Sequence, residues 1–399
     1  MLLCIDKKIL GTERNLLYDG EVFQWVFEEN ISDQVWWAGS TNKVRDIQWL
    51  AEACRENLPI FPPEKYQNAW HILKTPGQSI SWKEAIPQGT YKNYLLEYVG
   101  KLWSFLEREG NSYYSNVLTI HRSLLQTLKR AKIHREKFNE LIGENNYQKN
   151  QLDKFAPDDS GYCKKIIYDL TSSATGRLTV HKGPNVLTLK KELREIFTSS
   201  YPKGRLIQID LKTLEPRIAL YLANENPINY DDIYTDLIIA DLKIPVSRSD
   251  AKKIVISTLY GMSEGTLSRM LPGNISADQV TRKIKKTFGI NDLSDHIDSS
   301  VKQAGYFENA YGRKLRPTSA KINHYLQSTG VDVALFAFKA LIEDLQKNNC
   351  DVKPLFIIHD ALILDVNQGS FDDVTKICKN GFKVPLFNSR FPVKITDFI

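Results

Sequence analysis

Two aspartates and one helix carry most of the chemistry this sequence could do. Asp210 follows the apolar run Arg205-Leu206-Ile207-Gln208-Ile209 and precedes a helical run (Leu214, Ile218, Leu222), so its carboxylate should project from a strand end into whatever cleft forms there. Asp360 sits between Leu355-Phe356-Ile357-Ile358 and Leu362-Ile363-Leu364, at the tip of a predicted hairpin. Two carboxylates on adjacent strands could hold a pair of Mg²⁺ ions. Hard cations take oxygen ligands, and phosphoryl transfer needs charge neutralised on both attacking and leaving oxygens. Either aspartate alone fits a helix cap or a turn former equally well.

Between them, Arg248, Lys252, Ile256 and Tyr260 recur every four residues, with Ser247 or Ser249 placed to cap and Gly261 to stop a helix. The row spans about 18 Å at 1.5 Å per residue. Two cations, an aliphatic and an aromatic residue in that order suit a nucleoside triphosphate laid along the helix, phosphates at the cationic end. Taken alone, the segment reads first as an amphipathic helix with two cations on its rim.

The elements that must position these residues lie in a chain of 399 residues, 42% hydrophobic and 25% charged, which is long enough for two or three packed units and is neither disordered nor fibrous. No apolar run reaches membrane-span length and the opening residues are charged too soon for a secretory signal, so a cytoplasmic protein with no membrane partner is expected. Five scattered cysteines without a C-x-x-C pair argue against disulfides and a cysteine-built zinc site. All seven tryptophans fall in residues 1–103, which carry a net charge of −2, whereas the rest carries +8, a surplus compatible with a polyphosphate or nucleic-acid partner.

The tryptophan boundary and a polar stretch around Pro76-Gly77-Gln78-Ser79 and Pro87-Gln88-Gly89 set off residues 1–90 as a separate unit, followed by a helix from Tyr91 to Arg108. Its tryptophans are read as core, because base-stacking platforms come with a basic groove. From Tyr114 to about Ile142, apolar residues at helical intervals are decorated by Arg122, Lys129, Arg130, Lys132, Arg135 and Lys137, predicting a long helix or helical pair with a basic face. After Gly161, short apolar runs alternate with helical segments, giving a mixed α/β class.

Taken in order, the three segments resemble family A DNA polymerases, those like bacterial DNA polymerase I. I-D-L-K-T-L-E-P-R at 209–217 is similar to motif A, R-x-x-x-K-x-x-x-I-x-x-x-Y-G at 248–261 to motif B, and I-H-D-A-L at 358–362 to motif C. Further likeness lies in Thr175-Gly176-Arg177-Leu178, Pro184-Asn185, Leu193 to Phe197, Gly305 to Asn309 with Gly312-Arg313, and Ile322 to Gln327, so that it covers about residues 160–399. The resemblance implies a right-hand polymerase fold, α/β (α+β): thumb at 91–155, palm at 156–222 and 305–399, fingers at 223–304, and a small N-terminal domain at 1–90 that is an exonuclease remnant or a docking unit for a replication accessory protein.

It also implies the reaction and its partners: dNTPs are added to a primer-template DNA, with two Mg²⁺ ions (Mn²⁺ able to substitute) held by Asp210, Asp360 and the main-chain carbonyl of Leu211. Lys252 would protonate the leaving group, Arg248 bind the β/γ-phosphates, Ile256 face the sugar and base, and Tyr260 close the nascent pair. Glu215 would crowd the sugar 2′-position, favouring dNTPs. Arg177, Asn185, Arg313, Asn323 and Gln327 would touch primer-template, His359 the primer terminus, and Lys129 and Arg130 duplex phosphates.

The chain also departs from the family pattern. Ile256 stands where an aromatic residue is usual, Ala361 replaces the second acid of motif C, Ser319 replaces an arginine, and Lys212-Thr213 replace Ser-Gln. With a short Asp210–Arg248 interval, these predict a compact, error-tolerant enzyme, while the small size and the Lys, Asn and Ile usage point to phage, plasmid or repair replication. Leu17-Tyr18-Asp19-Gly20-Glu21 contains a D-x-E, but 90 residues are too few for an exonuclease domain, so no 3′–5′ proofreading is expected. The competing classes are a single-subunit RNA polymerase or primase-like synthase, which Glu215 disfavours, and a non-catalytic DNA-binding module, suggested by Ala361.

Overall fold

Short apolar segments form strands wherever residues two apart can share a buried face, and the computed structural model contains two such sheets of four strands each. It describes residues 2–399 apart from 32–34, 40–42, 44–45, 55, 74–79, 110–112, 145–148, 171, 225–227, 229, 262–263, 272, 274 and 319–320. The loop expected at Pro76 to Ser79, and Ser319, lie outside the described residues. The chain divides into two compact units, Met1–Ile120 and His121–Ile399.

In the first unit, β1 (Leu2–Ile5), β2 (Asn15–Tyr18), β3 (Phe23–Val26) and β4 (Val35–Ala38) are ordered β3-β2-β1-β4. The β1–β4 pair is parallel and the others antiparallel. Leu3, Cys4, Val35, Trp36 and Trp37 are buried there, which places these tryptophans in the core, while Trp25 is 38% exposed. Helix α1 (Ile47–Cys54) packs against α2 (Gln88–Glu109), whose Tyr91, Leu95, Tyr98, Leu102, Phe105 and Leu106 recur at helical spacing and are buried. The helix expected to open a thumb at residue 91 thus belongs to the first unit, because its apolar stripe is spent on that core.

The D-x-E of this unit is a turn. Asp19 Oδ1 accepts from the amides of Glu21 (2.9 Å) and Val22 (2.8 Å), and these two bonds hold the carboxyl below the usual range. Among the described residues of this unit, the buried aspartates Asp6 and Asp46 also cap helices: Asp6 accepts from the Lys8 amide at 2.8 Å, and Asp46 from the Trp49 amide at 3.0 Å.

In the second unit, β5 (Arg205–Leu211), β6 (Val352–Ile358), β7 (Ala361–Val366) and β8 (Val393–Asp397) form an antiparallel sheet ordered β6-β7-β5-β8. Every residue of β7 is buried, as a central strand covered on both faces must be. On the face that carries Asp210, the sheet's far end packs Phe356 against Phe197 and Phe398 at ring-centroid distances of 5.2 and 5.6 Å.

Helices complete this unit. The stretch from Tyr114 to Ile142 is a helical pair: α3 (Tyr113–Thr127), which enters this unit from His121, and Arg135–Glu144, with the two-residue strand Lys132–Ile133 between. Helix α4 is Leu214–Ala223, α5 is Arg248–Leu259, and α6, Lys321–Lys347, packs on α4. Gly330 of α6 faces Leu214 and Ile218 of α4, where a Cβ would sit in ordinary van der Waals contact, 3.5 Å from Leu214.

Cys4, Cys54, Cys163 and Cys378 are buried packing residues. Burial pushes the thiols of Cys4 and Cys378 up to about 12 and that of Cys163 to about 11, far from the thiolate form. Among the described residues, no helix is long and apolar enough to cross a membrane.

Candidate active site

Sheet register brings the two aspartates together. Asp210 is the penultimate residue of β5, one place inside the strand rather than after it, and Ala361, the first residue of β7, lies directly opposite. Asp360 immediately precedes Ala361 in the two-residue turn His359-Asp360, and the Leu211 amide donates to the Asp360 carbonyl at 3.3 Å. That turn requires a left-handed residue, which His359 supplies with φ +54°, a conformation disfavoured without glycine and held here by the ladders on both sides.

Burial pushes the Asp210 carboxyl above its usual range, and the neighbouring Asp360 charge pushes it further. A hydrogen bond from Gln208 (3.3 Å) and the ammonium groups of Lys394 and Lys252 oppose the rise. Asp210, Leu211, His359 and Asp360 line one cavity of about 900 Å³.

Helix α5 forms another wall of that cavity. Ser247 Oγ accepts from the Asp250 amide at 3.1 Å and starts the helix, and Gly261, with φ +81°, follows its end. Ala251, Ile254, Val255, Thr258 and Leu259 are buried behind it, which leaves Arg248, Lys252, Ile256 and Tyr260 to line the cavity together. The stripe read from the sequence therefore faces the aspartates.

Side-chain bonds latch this wall. Arg248 pairs with Asp232 through Nε, and its guanidinium stands 5.5 Å from the Tyr234 ring centroid. Burial alone would raise the Asp232 carboxyl, but the bonds from Arg248 and the Tyr234 amide hold it below its usual range. The Tyr260 hydroxyl donates to the Glu215 carboxylate, which also lies 3.8 Å from Arg177, and it is bonded by Gln327. Burial raises the Glu215 carboxyl despite these partners, and burial and Glu215 raise the Tyr260 phenol. Arg177, Glu215 and Gln327 also line the cavity.

Arg313 does not fit its expected role. It is 4% exposed, and its guanidinium donates to the Leu170 carbonyl at 3.2 Å and lies 3.7 Å from Asp332, so it is a framework residue and not a DNA contact. Gly176 is glycine for this reason, since a Cβ there would come 2.4 Å from the guanidinium carbon. Asp332 also accepts from Asn309 at 2.7 Å and pairs with His121 at 3.0 Å, a wholly buried network whose His121 is held below the usual imidazole range by burial.

Other expected DNA contacts are bonded within the chain while staying partly exposed. Asn185 caps a short helix by accepting from the Leu187 amide at 3.1 Å. Arg130 is drawn onto the 158–163 loop by Asp158 and the carbonyls of Tyr162 and Cys163 (both 2.8 Å), and Arg135 by the Asp158 carbonyl at 2.7 Å. Within the basic run from 122 to 137, Arg130 and Arg135 are thus bonded to the 158–163 loop. Lys129 is exposed, and Asn323 is half-buried on α6.

Sequence reasoning missed Asp232, His121, Asp332 and Lys394, and it gave no role to Arg217. The last is 0% exposed and donates to the carbonyls of Lys212 (3.4 Å) and Tyr230 (2.8 Å), fixing the backbone that leaves Asp210. Only Arg217 carried a signal, its place in the motif.

Fold and site thus define a mixed α/β protein in which paired carboxylates share a cavity with a cation-bearing helix. The profile of DNA polymerase family A matches residues 124–396, and the chain belongs to that family. It is 26% identical over 260 residues to DNA polymerase I of Caldicellulosiruptor bescii, covering 54% of this chain and 30% of that one. It is 24% identical over 246 residues to DNA polymerase I of Pseudomonas aeruginosa, covering 53% and 26%. The chain thus matches less than a third of the length of these two relatives. Among solved structures, the POL domain of Pol1 from M. smegmatis in complex with DNA primer-template and dNTP aligns over 89% of this chain and 64% of that one, at 17% identity and a TM-score of 0.49.

Proposed function

We propose that this chain is a template-directed DNA polymerase that joins a primer 3′-hydroxyl oxygen to the α-phosphorus of a dNTP and releases pyrophosphate. The observation that carries this reading is the pairing register that sets Asp210 beside Asp360, in the same cavity as the Arg248–Tyr260 stripe. Two carboxylates with the Leu211 carbonyl form the all-oxygen donor set that Mg²⁺ favours, water and phosphate oxygens completing it. When bound, the ions supply charge to the attacking and leaving oxygens.

The remaining roles belong to the chain. Arg248 exchanges Asp232 for the β- and γ-phosphates, to which it is complementary as a planar fork. Lys252, exposed in the cavity wall, holds a proton for the leaving pyrophosphate. Glu215 and Tyr260, bonded to each other, close the space a 2′-hydroxyl would need, with Ile256 beside them and Gln327 and Arg177 toward the minor groove. In this reading β5 to β8 are the palm and α5 belongs to the fingers. Ser319 and Lys212-Thr213, which depart from the family pattern, lower fidelity, Ala361 lowers activity or alters metal dependence by placing a methyl group opposite Asp210, and no proofreading is expected of a first unit whose described buried aspartates, Asp6 and Asp46, serve as helix caps.

Extension of a labelled primer-template by dNTPs or rNTPs, with matched or mismatched 3′ ends, tests the reading. Mg²⁺-dependent addition of dNTPs without removal of the mismatch is expected. Duplex binding without extension would make the chain a non-catalytic DNA-binding module, and better extension with rNTPs would make it an RNA-synthesising enzyme.

A further inference from the structure

Asp210 has a cross-strand neighbour on each side, and neither is an acid. Residues directly opposite in an antiparallel pair point to the same face with Cβ atoms roughly 4.5–5.5 Å apart. Across β7 the partner is Ala361, and across the edge strand β8 it is Lys394. The carboxylate thus stands between a methyl group and an ammonium-bearing side chain, and Lys394 lines the same cavity as Asp360.

Lys394 is also uncommitted. Arg248 is latched to Asp232 and Arg177 lies against Glu215, but among the described residues Lys394 forms no salt bridge. It is exposed on an edge strand, where its flexible four-carbon stem can bring the ammonium over the carboxylates or swing it into water. The ammonium groups of Lys394 and Lys252 both act on Asp210, Lys394 from the strand directly opposite, and offset the formal charge of −2 that the two carboxylates alone would give.

We propose that Lys394 is a resident cation of the metal cradle, a positioning residue whose charge, set across the strand from Asp210, eases the repulsion between Asp210 and Asp360 and opposes a divalent ion that enters between them. The inference rests on the assignment of Asp210 and Asp360 as metal ligands and adds a determinant of their affinity. The chain should bind a divalent ion weakly by itself, because the ion enters a cavity that an ammonium group of the same sign already lines.

The test uses Mn²⁺ alone, titrated into the full chain without DNA or nucleotide and followed by the electron paramagnetic resonance signal of the free ion. Lys394→Met should bind Mn²⁺ on the order of tenfold more tightly, since a unit charge a few ångströms from a divalent ion is removed. Lys394→Arg, which keeps the charge, should stay near the parent affinity. Circular dichroism checks that each variant is folded. Equal affinity for Lys394→Met and parent, or an arginine variant that behaves like the methionine one, overturns the proposal.

Asp210→Asn separates this from the underlying assignment. If Asp210→Asn weakens Mn²⁺ binding while Lys394→Met changes nothing, the proposal alone fails. If Asp210→Asn leaves binding unchanged, the metal assignment fails and the proposal with it. Tighter binding in Lys394→Met that disappears when Asp210→Asn is added supports both.

Discussion

The carboxylate floor and the helical wall of the cavity are built by different means. Asp210 and Asp360 are placed by backbone ladders in a sheet whose neighbouring strand β7 is wholly buried, so their approach is decided by register and barely by their own side chains. Arg248, Glu215 and Tyr260 are placed by bonds between side chains, one of them the Arg248–Asp232 ion pair, which a phosphate could replace. A floor that must hold charge at fixed spacing is made from the stiffest available material, and a wall that must admit and release a nucleotide is made from latches.

If that division is right, substitutions in the floor should destroy chemistry and spare the fold. Asp210→Asn and Asp360→Asn should each reduce primer extension on the order of a thousandfold or more, since each removes a charged ligand from the transition state. Melting temperatures should not fall, because the ladders remain. A variant that unfolds, or one that retains extension within tenfold of the parent, breaks the comparison at its firmest point.

Substitutions in the wall should act on nucleotide binding. Arg248→Ala should raise the KM for dNTP by about tenfold to a hundredfold, the usual range for a charge-assisted fork on phosphate. Asp232→Asn should move it the other way by about two- to fivefold, because the competing partner of Arg248 is weakened. Steady-state kinetics on one primer-template measure both. A KM that does not respond to Asp232 would mean that the ion pair is no latch.

Weaker still should be the effect on sugar choice. Glu215→Ala should lower the preference for dNTP over rNTP by about tenfold, the range expected when a steric wall loses one side chain. Competitive incorporation on a template calling for a single base reads this directly. Because Tyr260 loses its partner as well, a larger fall would show that the two side chains act as one wall.

How much of the molecule could be read from the sequence depended on whether the cause was local. The strands around Asp210 and Asp360 and the stripe on α5 were legible because alternation and four-residue spacing are local patterns, and Ser247 and Gly261 mark the ends of the helix. Arg313 was misread because nothing in Gly312-Arg313 says that its guanidinium will be enclosed by Leu170 and Asp332, residues 143 and 19 positions away. Lys394 escaped notice because its importance is a register fact, fixed only when β8 pairs with β5. The first unit's boundary was set about 30 residues early. Tryptophan usage ends at Trp103, but the apolar stripe of α2 runs on to Leu106 and commits the helix to that core.

The smallest effect separates burial from bonding at the wall. Glu215 ionises less readily in the folded chain than in the unfolded one, because burial outweighs the help of Tyr260 and Arg177. The folded state therefore holds the proton more tightly. The stability this gives is complete below the unfolded carboxyl range and is lost as pH rises through the folded value. At pH 8 the ionised side chain is thus a net cost. Glu215→Gln keeps the shape and an acceptor for the Tyr260 hydroxyl while removing that cost, so its melting temperature should exceed the parent's by about 1–2 °C at pH 8. The difference should vanish below about pH 3, where the parent carboxyl is protonated in both states. A variant that melts below the parent at pH 8 would show that the charged bond from Tyr260 outweighs burial. The wall would then be held by that bond as firmly as the floor is held by its ladders.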